Sequence, residues 1–270
     1  MQALFADKQV AMTASGEGPP LVLLHSLLAD ATSFDPVVTA LGRDFRVLVP
    51  ELPGFGHSAP APGGLEAVAD RVAAAVREAT GGRPAAGLGN GYGGFVLLLC
   101  ALRHPTLFER LVFADCGACF SEPGREAFRG MARVAAEKGL PAIADTAMRR
   151  LFAPAFQAAH PALMAERRAA FLRTDLAVFQ AACAALAGLD LRARLSEIRV
   201  PALVLVGEHD EATPPAMARE LAAGLSNARF VLLPDCAHVP QLQRPEIFEA
   251  EVAAFLQPQV QPLVEPHAVS

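Results

Sequence analysis

GLGNGYGGFVLLLCAL, residues 87–102, runs from a segment of small residues through a glycine turn into an uninterrupted apolar run, Phe95 to Leu102. Two readings compete for it. Gly89, Gly91 and Gly94 spell G-x-G-x-x-G, the turn whose backbone N–H groups cradle a dinucleotide pyrophosphate. The same stretch also sets glycine two residues before and two residues after position 91. A strained strand-to-helix turn that lifts a nucleophile above a sheet needs small residues at those two places, because the backbones approach closely there. In that reading the lifted residue is Gly91, which has no side chain to lift.

The segments on either side are regular. LVLLH (21–25), FRVLVP (45–50), RLVFAD (110–115), PALVLVG (201–207) and ARFVLLP (228–234) read as buried strands, being short, apolar and bounded by Pro, Gly or Asp. RPAAGLGN is weak by propensity and is read as a strand from the turn that follows it. LEAVADRVAAAVREA (65–79) carries Leu65, Val68, Val72 and Val76 at helical spacing and stops at Gly81-Gly82. Apolar strands alternating with helices predict an α/β protein: a mostly parallel central sheet with helices on both faces. Residues 120–195 show helical stretches cut by Pro123, Gly139, Pro141, Pro154 and Pro161, and read as a helical cap inserted between two strands. The expected division is a core over 1–119 and 196–256, a cap over 120–195, and a disordered tail over 257–270, where three prolines break any period.

Composition narrows the function classes. The 270 residues are 53% hydrophobic, enough for one large core, and the net charge of −5 with no basic run argues against a nucleic-acid surface. The apolar run from Phe95 to Leu102 is far short of the ~20 residues that span a bilayer. The first residues lack the basic start and apolar stretch of a signal peptide, so the expectation is a cytoplasmic protein without a membrane partner. Five cysteines spread along the chain give no disulfide framework, and Cys116-Gly-Ala-Cys119 is a lone pair without the second pair a metal site needs. Neither a metal nor a cofactor is expected.

The dinucleotide reading draws support from Asp115, which ends the next strand about 20 residues on, where a ribose-binding acid belongs. Against it, several strands precede a turn that ought to be the first. The nucleophile-turn reading accounts for more of the chain. An acid and a histidine should follow in that order, each after a strand. Asp210 does so in LVLVGEHDEATPP and His238 does so in FVLLPDCAHVPQLQRPE. LVLLHSLLAD supplies a buried strand ending at His25, then a loop able to aim a backbone N–H at the turn.

With those pieces in place the chain resembles the α/β-hydrolase fold family across roughly residues 1–256. HSLLADATSFDPVV, the ELPGFGHS loop and AALAGLDLRARLSEIRVPALVLVGEHDEATPP look most like 3-oxoadipate enol-lactonases and related small carboxylesterases. The resemblance implies a hydrolase acting on a small ester, lactone or related carbonyl substrate. It makes His238 the general base and acid, and Asp210 the residue that orients the imidazole and stabilises its charged form. It puts the oxyanion hole at the N–H groups of Leu27 and Tyr92, and sets His25, Ser26 and Asn90 beside the substrate. The family's nucleophile falls on Gly91, leaving that position vacant.

Other residues are weaker candidates. Ser58 in GFGHSAP is followed by Pro60 and Pro62 where a helix should start, so with His57 it reads as a loop. Ser26 lies near the pocket, but no strained turn presents it. Cys116 and Cys119 read as buried thiols at a strand end, and His209 as a loop residue. Asp115 is a rival acid for His238. Three readings of Gly91 stay open: a deliberate Ser→Gly replacement in an ordinary hydrolase; a natural enzyme using the His238–Asp210 pair alone for lyase, cyclase, C–C cleavage or direct hydrolytic chemistry; and a pocket kept only for binding.

Overall fold

The computed structural model describes residues 2–257; the tail expected to be disordered therefore lies, from 258 on, outside the described residues. An N-terminal hairpin of β1 (Gln2–Phe5) and β2 (Val10–Ser15) leads into β3 (Pro20–Leu24), α1 (Asp35–Leu41) and β4 (Arg46–Pro50). Then come α2 (Gly64–Ala79), β5 (Ala85–Asn90), α3 (Tyr92–Arg103) and β6 (Phe108–Ala114). Five helices follow without an intervening strand: α4 (Glu122–Lys138), α5 (Ala144–Leu151), α6 (Pro154–Ala159), α7 (Pro161–Leu172) and α8 (Leu176–Gly188). The chain re-enters the sheet at β7 (Ala202–Gly207), then forms α9 (Pro215–Gly224), β8 (Ala228–Leu233), α10 (Pro240–Gln243) and α11 (Pro245–Leu256). Among the described residues no single helix is long and apolar enough to cross a membrane.

The eight strands lie in the order β1-β2-β4-β3-β5-β6-β7-β8. The pairs β1–β2 and β2–β4 are antiparallel and the rest parallel. Successive side chains of a strand point to opposite faces, and the core divides accordingly. Val22 and Leu24 face α2, α3 and the inserted helices; Leu21 and Leu23 face α1 and α11. The sheet is thus covered on both sides, as its continuous apolar strands require.

Two parts of the sheet differ from expectation. The N-terminal hairpin carries no clear pattern: β1 has four residues, mostly exposed, and β2 mixes polar with apolar. Its pairing with β4 decides its fate, a tertiary contact that propensity does not encode. β8 was expected to be buried, but it is the last strand in the order and only Leu233 of its six residues is buried. Phe230 there is covered by the Arg219 guanidinium, 4.4 Å from its ring centre, a cation–π contact that shields part of this edge strand from water.

β5, weak by propensity, is buried at all six positions in the middle of the sheet. Its small residues let α3 sit directly on it. A Cβ on Gly87 would come 2.7 Å from Leu97 Cδ1 of α3, closer than carbon atoms pack.

Candidate active site

Gly91 joins β5 to α3 with φ 53° and ψ −118°, a conformation glycine enters without steric cost. Its N–H donates to the Ala114 carbonyl at 2.9 Å, tying the turn to β6. The close approach expected around it is present. Any Cβ on Gly93 would run into the backbone carbonyl of Leu24, and one on Gly89 into the backbone of Gly93 and Gly94. Only glycine fits at 89 and 93 while β3, β5 and α3 meet this closely.

Asp210 and His238 come to this turn from the loops after β7 and β8. His238 Nδ1 lies 2.9 Å from Asp210 Oδ2, and both side chains are nearly fully buried. Asp210 is heavily bonded: Oδ1 accepts from the N–H groups of Ala212 (2.8 Å) and Thr213 (3.0 Å), and Oδ2 accepts from the Thr213 hydroxyl (2.6 Å). Burial works to raise its pKa. The His238 charge and the hydrogen bonds from His238 and Thr213 outweigh this and hold the carboxyl below its usual value. An ionised Asp210 makes Nδ1 the protonated nitrogen of a neutral His238 and leaves Nε2 as an acceptor.

Nε2 faces Ser26, whose Oγ is 3.3 Å away. The position called vacant is therefore not empty space. A Cβ on residue 91 would stand 2.6 Å from His238 Nε2, 2.7 Å from Ser26 Oγ and 3.1 Å from Ser26 Cβ. Ser26, 2% exposed, and the His238 ring together crowd the space that a side chain at 91 would enter.

Leu27 and Tyr92 flank the same point. Tyr92 is the first residue of α3, so its N–H has no intrahelical acceptor. The positive end of the α3 dipole points there too. Ser26, Leu27, Gly91, Tyr92 and His238 share a cavity of about 30 Å³, closed by Phe95, Phe120, Phe128, Leu186 and Arg150. Phe120 packs between Phe95 of α3, tilted against it at 5.2 Å, and Phe128 of α4, edge-to-face at 4.7 Å, which pins the inserted helices to the core. The His238 N–H donates to the carbonyl of Leu151, the last residue of α5 (3.2 Å). A second, apolar cavity of about 270 Å³ is lined by Pro53, Pro60, Leu65, Val68, Ala181 and, again, Tyr92.

Two residues expected beside the substrate face elsewhere. His25 Nδ1 is 3.0 Å from the Ser26 carbonyl and Nε2 accepts from the Leu52 N–H at 3.1 Å, so both ring nitrogens hold backbone. Asn90 donates to the His238 carbonyl at 2.9 Å and accepts from Gln241 at 3.1 Å, supporting the histidine loop from beneath. The weaker candidates are also engaged. Ser58 Oγ donates to the Glu51 carbonyl and accepts from the Ala11 N–H. His57 bonds Glu51. Burial raises the pKa of the Cys116 and Cys119 thiols, away from the reactive thiolate. Asp115 is fully buried with φ 51°, its Oδ1 accepting from the Gly207 N–H at 2.8 Å, so it is out of reach of a ribose. The dinucleotide reading fails on that burial and on a cavity too small for a pyrophosphate.

Arg150 went unnoticed in the sequence. Its guanidinium lies over the Phe128 ring at 5.6 Å, and no carboxylate pairs with it among the described residues. Burial presses its pKa below the usual value, with Asp210 pulling the other way. A signal existed: Arg150 lies three residues after Ala147 and next to Leu151, on the edge of the buried face of α5.

A glycine-framed turn above a parallel sheet, with a buried acid–histidine pair supplied by the last two strands, defines a protein of the hydrolase class. The chain belongs to the alpha/beta hydrolase family, whose model matches residues 21–251. It is similar to the enol-lactonase from Burkholderia xenovorans, with a TM-score of 0.87 and 32% identity over 95% of this chain and 99% of that one. It is 31% identical to a pimeloyl-[acyl-carrier protein] methyl ester esterase of Aeromonas hydrophila, over 92% of this chain and 99% of the esterase. It also matches part of the polyketide synthase ThaQ of Burkholderia thailandensis, 31% identical over 89% of this chain but only 12% of the synthase.

Proposed function

We propose that this protein hydrolyses a small ester, lactone or related carbonyl compound, with His238 as general base and acid and Asp210 as its orienting partner. The observation that carries this reading is the 2.9 Å Nδ1–Oδ2 contact, which leaves Nε2 as the free base at the β5–α3 turn. Likeness to an enol-lactonase and to a methyl ester esterase supports the ester and lactone classes. In the reaction, Nε2 takes the proton of the attacking hydroxyl and passes it to the departing oxygen. The N–H groups of Leu27 and Tyr92 receive the negative charge on the carbonyl oxygen; one such donor contributes about 2.7–4 kcal/mol.

The cavity at His238 has room for about two waters. Substrate entry therefore requires α4, α5 and α8 to move, or Tyr92 to swing and join this cavity to the apolar one beside it. Arg150 supports a substrate with an anionic group, since a half-buried cation beside the cavity and without a carboxylate partner gains from a charged ligand.

Glycine at 91 motivates a second reading, in which the pair draws a proton directly from substrate without an acyl-enzyme. One experiment tests the pair on which both readings depend: assay of the parent chain, His238→Ala and Asp210→Asn against short aryl esters, methyl esters and lactones. The hydrolase reading expects losses of about 10³-fold or more in both variants. Undiminished hydrolysis in His238→Ala overturns it.

A further inference from the structure

We propose that Ser26 is the nucleophile of this enzyme, an inference that rests on the hydrolase reading of the His238–Asp210 pair. Three independent features of the fold converge on it. Ser26 Oγ is the hydroxyl that meets Nε2, at 3.3 Å, a separation usual for a nucleophile and its base before substrate tightens the contact. The order Asp210–His238–Ser26 is then continuous through hydrogen bonds of 2.9 and 3.3 Å.

Second, the Ser26 side chain borders the space that a side chain at 91 would enter: a Cβ there would lie 2.6 Å from His238 Nε2, 2.7 Å from Ser26 Oγ and 3.1 Å from Ser26 Cβ. A serine merely cut back to glycine leaves a gap beside the base. Here the gap holds a hydroxyl already aimed at Nε2. Third, Ser26 directly precedes Leu27 and lines the same cavity as Leu27 and Tyr92, the residues whose N–H groups would form the oxyanion hole.

The other buried hydroxyl and thiol groups weighed as nucleophiles lack this setting. Ser58 has its hydroxyl committed to backbone, and burial keeps Cys116 protonated.

The chemistry balances without any co-reactant except water. Ser26 Oγ bonds to the carbonyl carbon as its proton passes to His238 Nε2. The bond from that carbon to the leaving oxygen breaks, and the proton goes to the departing alcohol or ring oxygen. Water then loses a proton to Nε2 and attacks the acyl carbon. The Oγ–acyl bond breaks, and Ser26 recovers its proton as the acid is released.

A fluorophosphonate ester, which forms a stable bond to an activated serine, tests this on the unaltered protein. Peptide mass mapping is expected to find the phosphonyl group on residue 26, and to find none in His238→Ala. With p-nitrophenyl acetate the parent chain is expected to give a burst of nitrophenol and acetylated Ser26. Ser26→Ala is expected to lose the burst and about 10³-fold in turnover while keeping its melting temperature within a few degrees. No label at residue 26 in the parent chain overturns the proposal. So does a Ser26→Ala variant that hydrolyses at the parent rate while His238→Ala is inactive; in that case the pair activates water directly and the hydrolase reading stands. Parent-rate hydrolysis in both variants removes the hydrolase reading as well.

Discussion

The Ser26 hydroxyl and the His238 ring crowd position 91: the Cβ that Gly91 lacks would stand 2.7 Å from Ser26 Oγ and 2.6 Å from His238 Nε2. Positions 26 and 91 are 65 residues apart in the chain yet behave as one site. Gly91→Ser alone is expected to destabilise the protein by about 1–3 kcal/mol through overpacking, with no gain in hydrolysis. Adding Ser26→Gly removes the Ser26 contacts but leaves His238 Nε2 at 2.6 Å and the positive φ of residue 91. The double variant is expected to recover only part of the stability and to place a serine against His238 from the turn. A double-mutant cycle on melting free energies reads the coupling, about 0.5–3 kcal/mol for residues in contact.

Asp115 offers a pH-dependent prediction. Burial, and next the negative charge of Asp210, raise its pKa well above that of an ordinary aspartate, and its Oδ2 has no hydrogen-bond partner. The folded state therefore holds a proton that the unfolded chain releases above about pH 4. Its contribution to stability is complete below that pH and is lost as pH rises towards the folded-state value. The slope is about 1.4 kcal/mol per pH unit. Asp115→Asn keeps an acceptor for the Gly207 N–H and tolerates the positive φ. Its melting temperature is expected to exceed the parent's by a margin that widens between pH 5 and pH 8.

Arg150 is expected to select substrates by charge. Arg150→Gln should raise KM about tenfold or more for an ester carrying a carboxylate, as expected for a lost hydrogen bond to a charged group. It should leave KM for a neutral ester of similar size nearly unchanged. Equal effects on both esters would show that Arg150 acts only by packing on Phe128.

Asp30 joins the inserted helices to the loop that carries Ser26. It meets Arg167 of α7 at 3.3 Å and Arg173 at 2.9 Å, and the Arg167 side chain is only 4% exposed. Asp30→Ala removes one of the two carboxylates on that buried cation, leaving Arg167 its ion pair with Glu166, and is expected to cost about 1–2 kcal/mol in chemical denaturation. Arg173→Ala, at an exposed partner, is expected to cost no more than about 1 kcal/mol.

The architecture was legible because strand and helix periods are local. The pairing of acid and base was legible in outline because Asp210 and His238 each follow a strand in the order the family uses. Contacts made by rotamers across distant segments were not. Ser26 reads as a loop residue until the β3 loop and the β8 loop are folded together and its Oγ meets Nε2. His25 and Asn90 look like site residues because polar groups at strand ends usually are, yet each holds backbone. Asp115 satisfied a motif by spacing alone, and only burial excludes it.

The crowding at 26 and 91 also makes the imidazole and the hydroxyl move as a pair: a side chain regained at 91 enters only as the Ser26 rotamer turns away and the His238 ring shifts, so the turn sets where the base points.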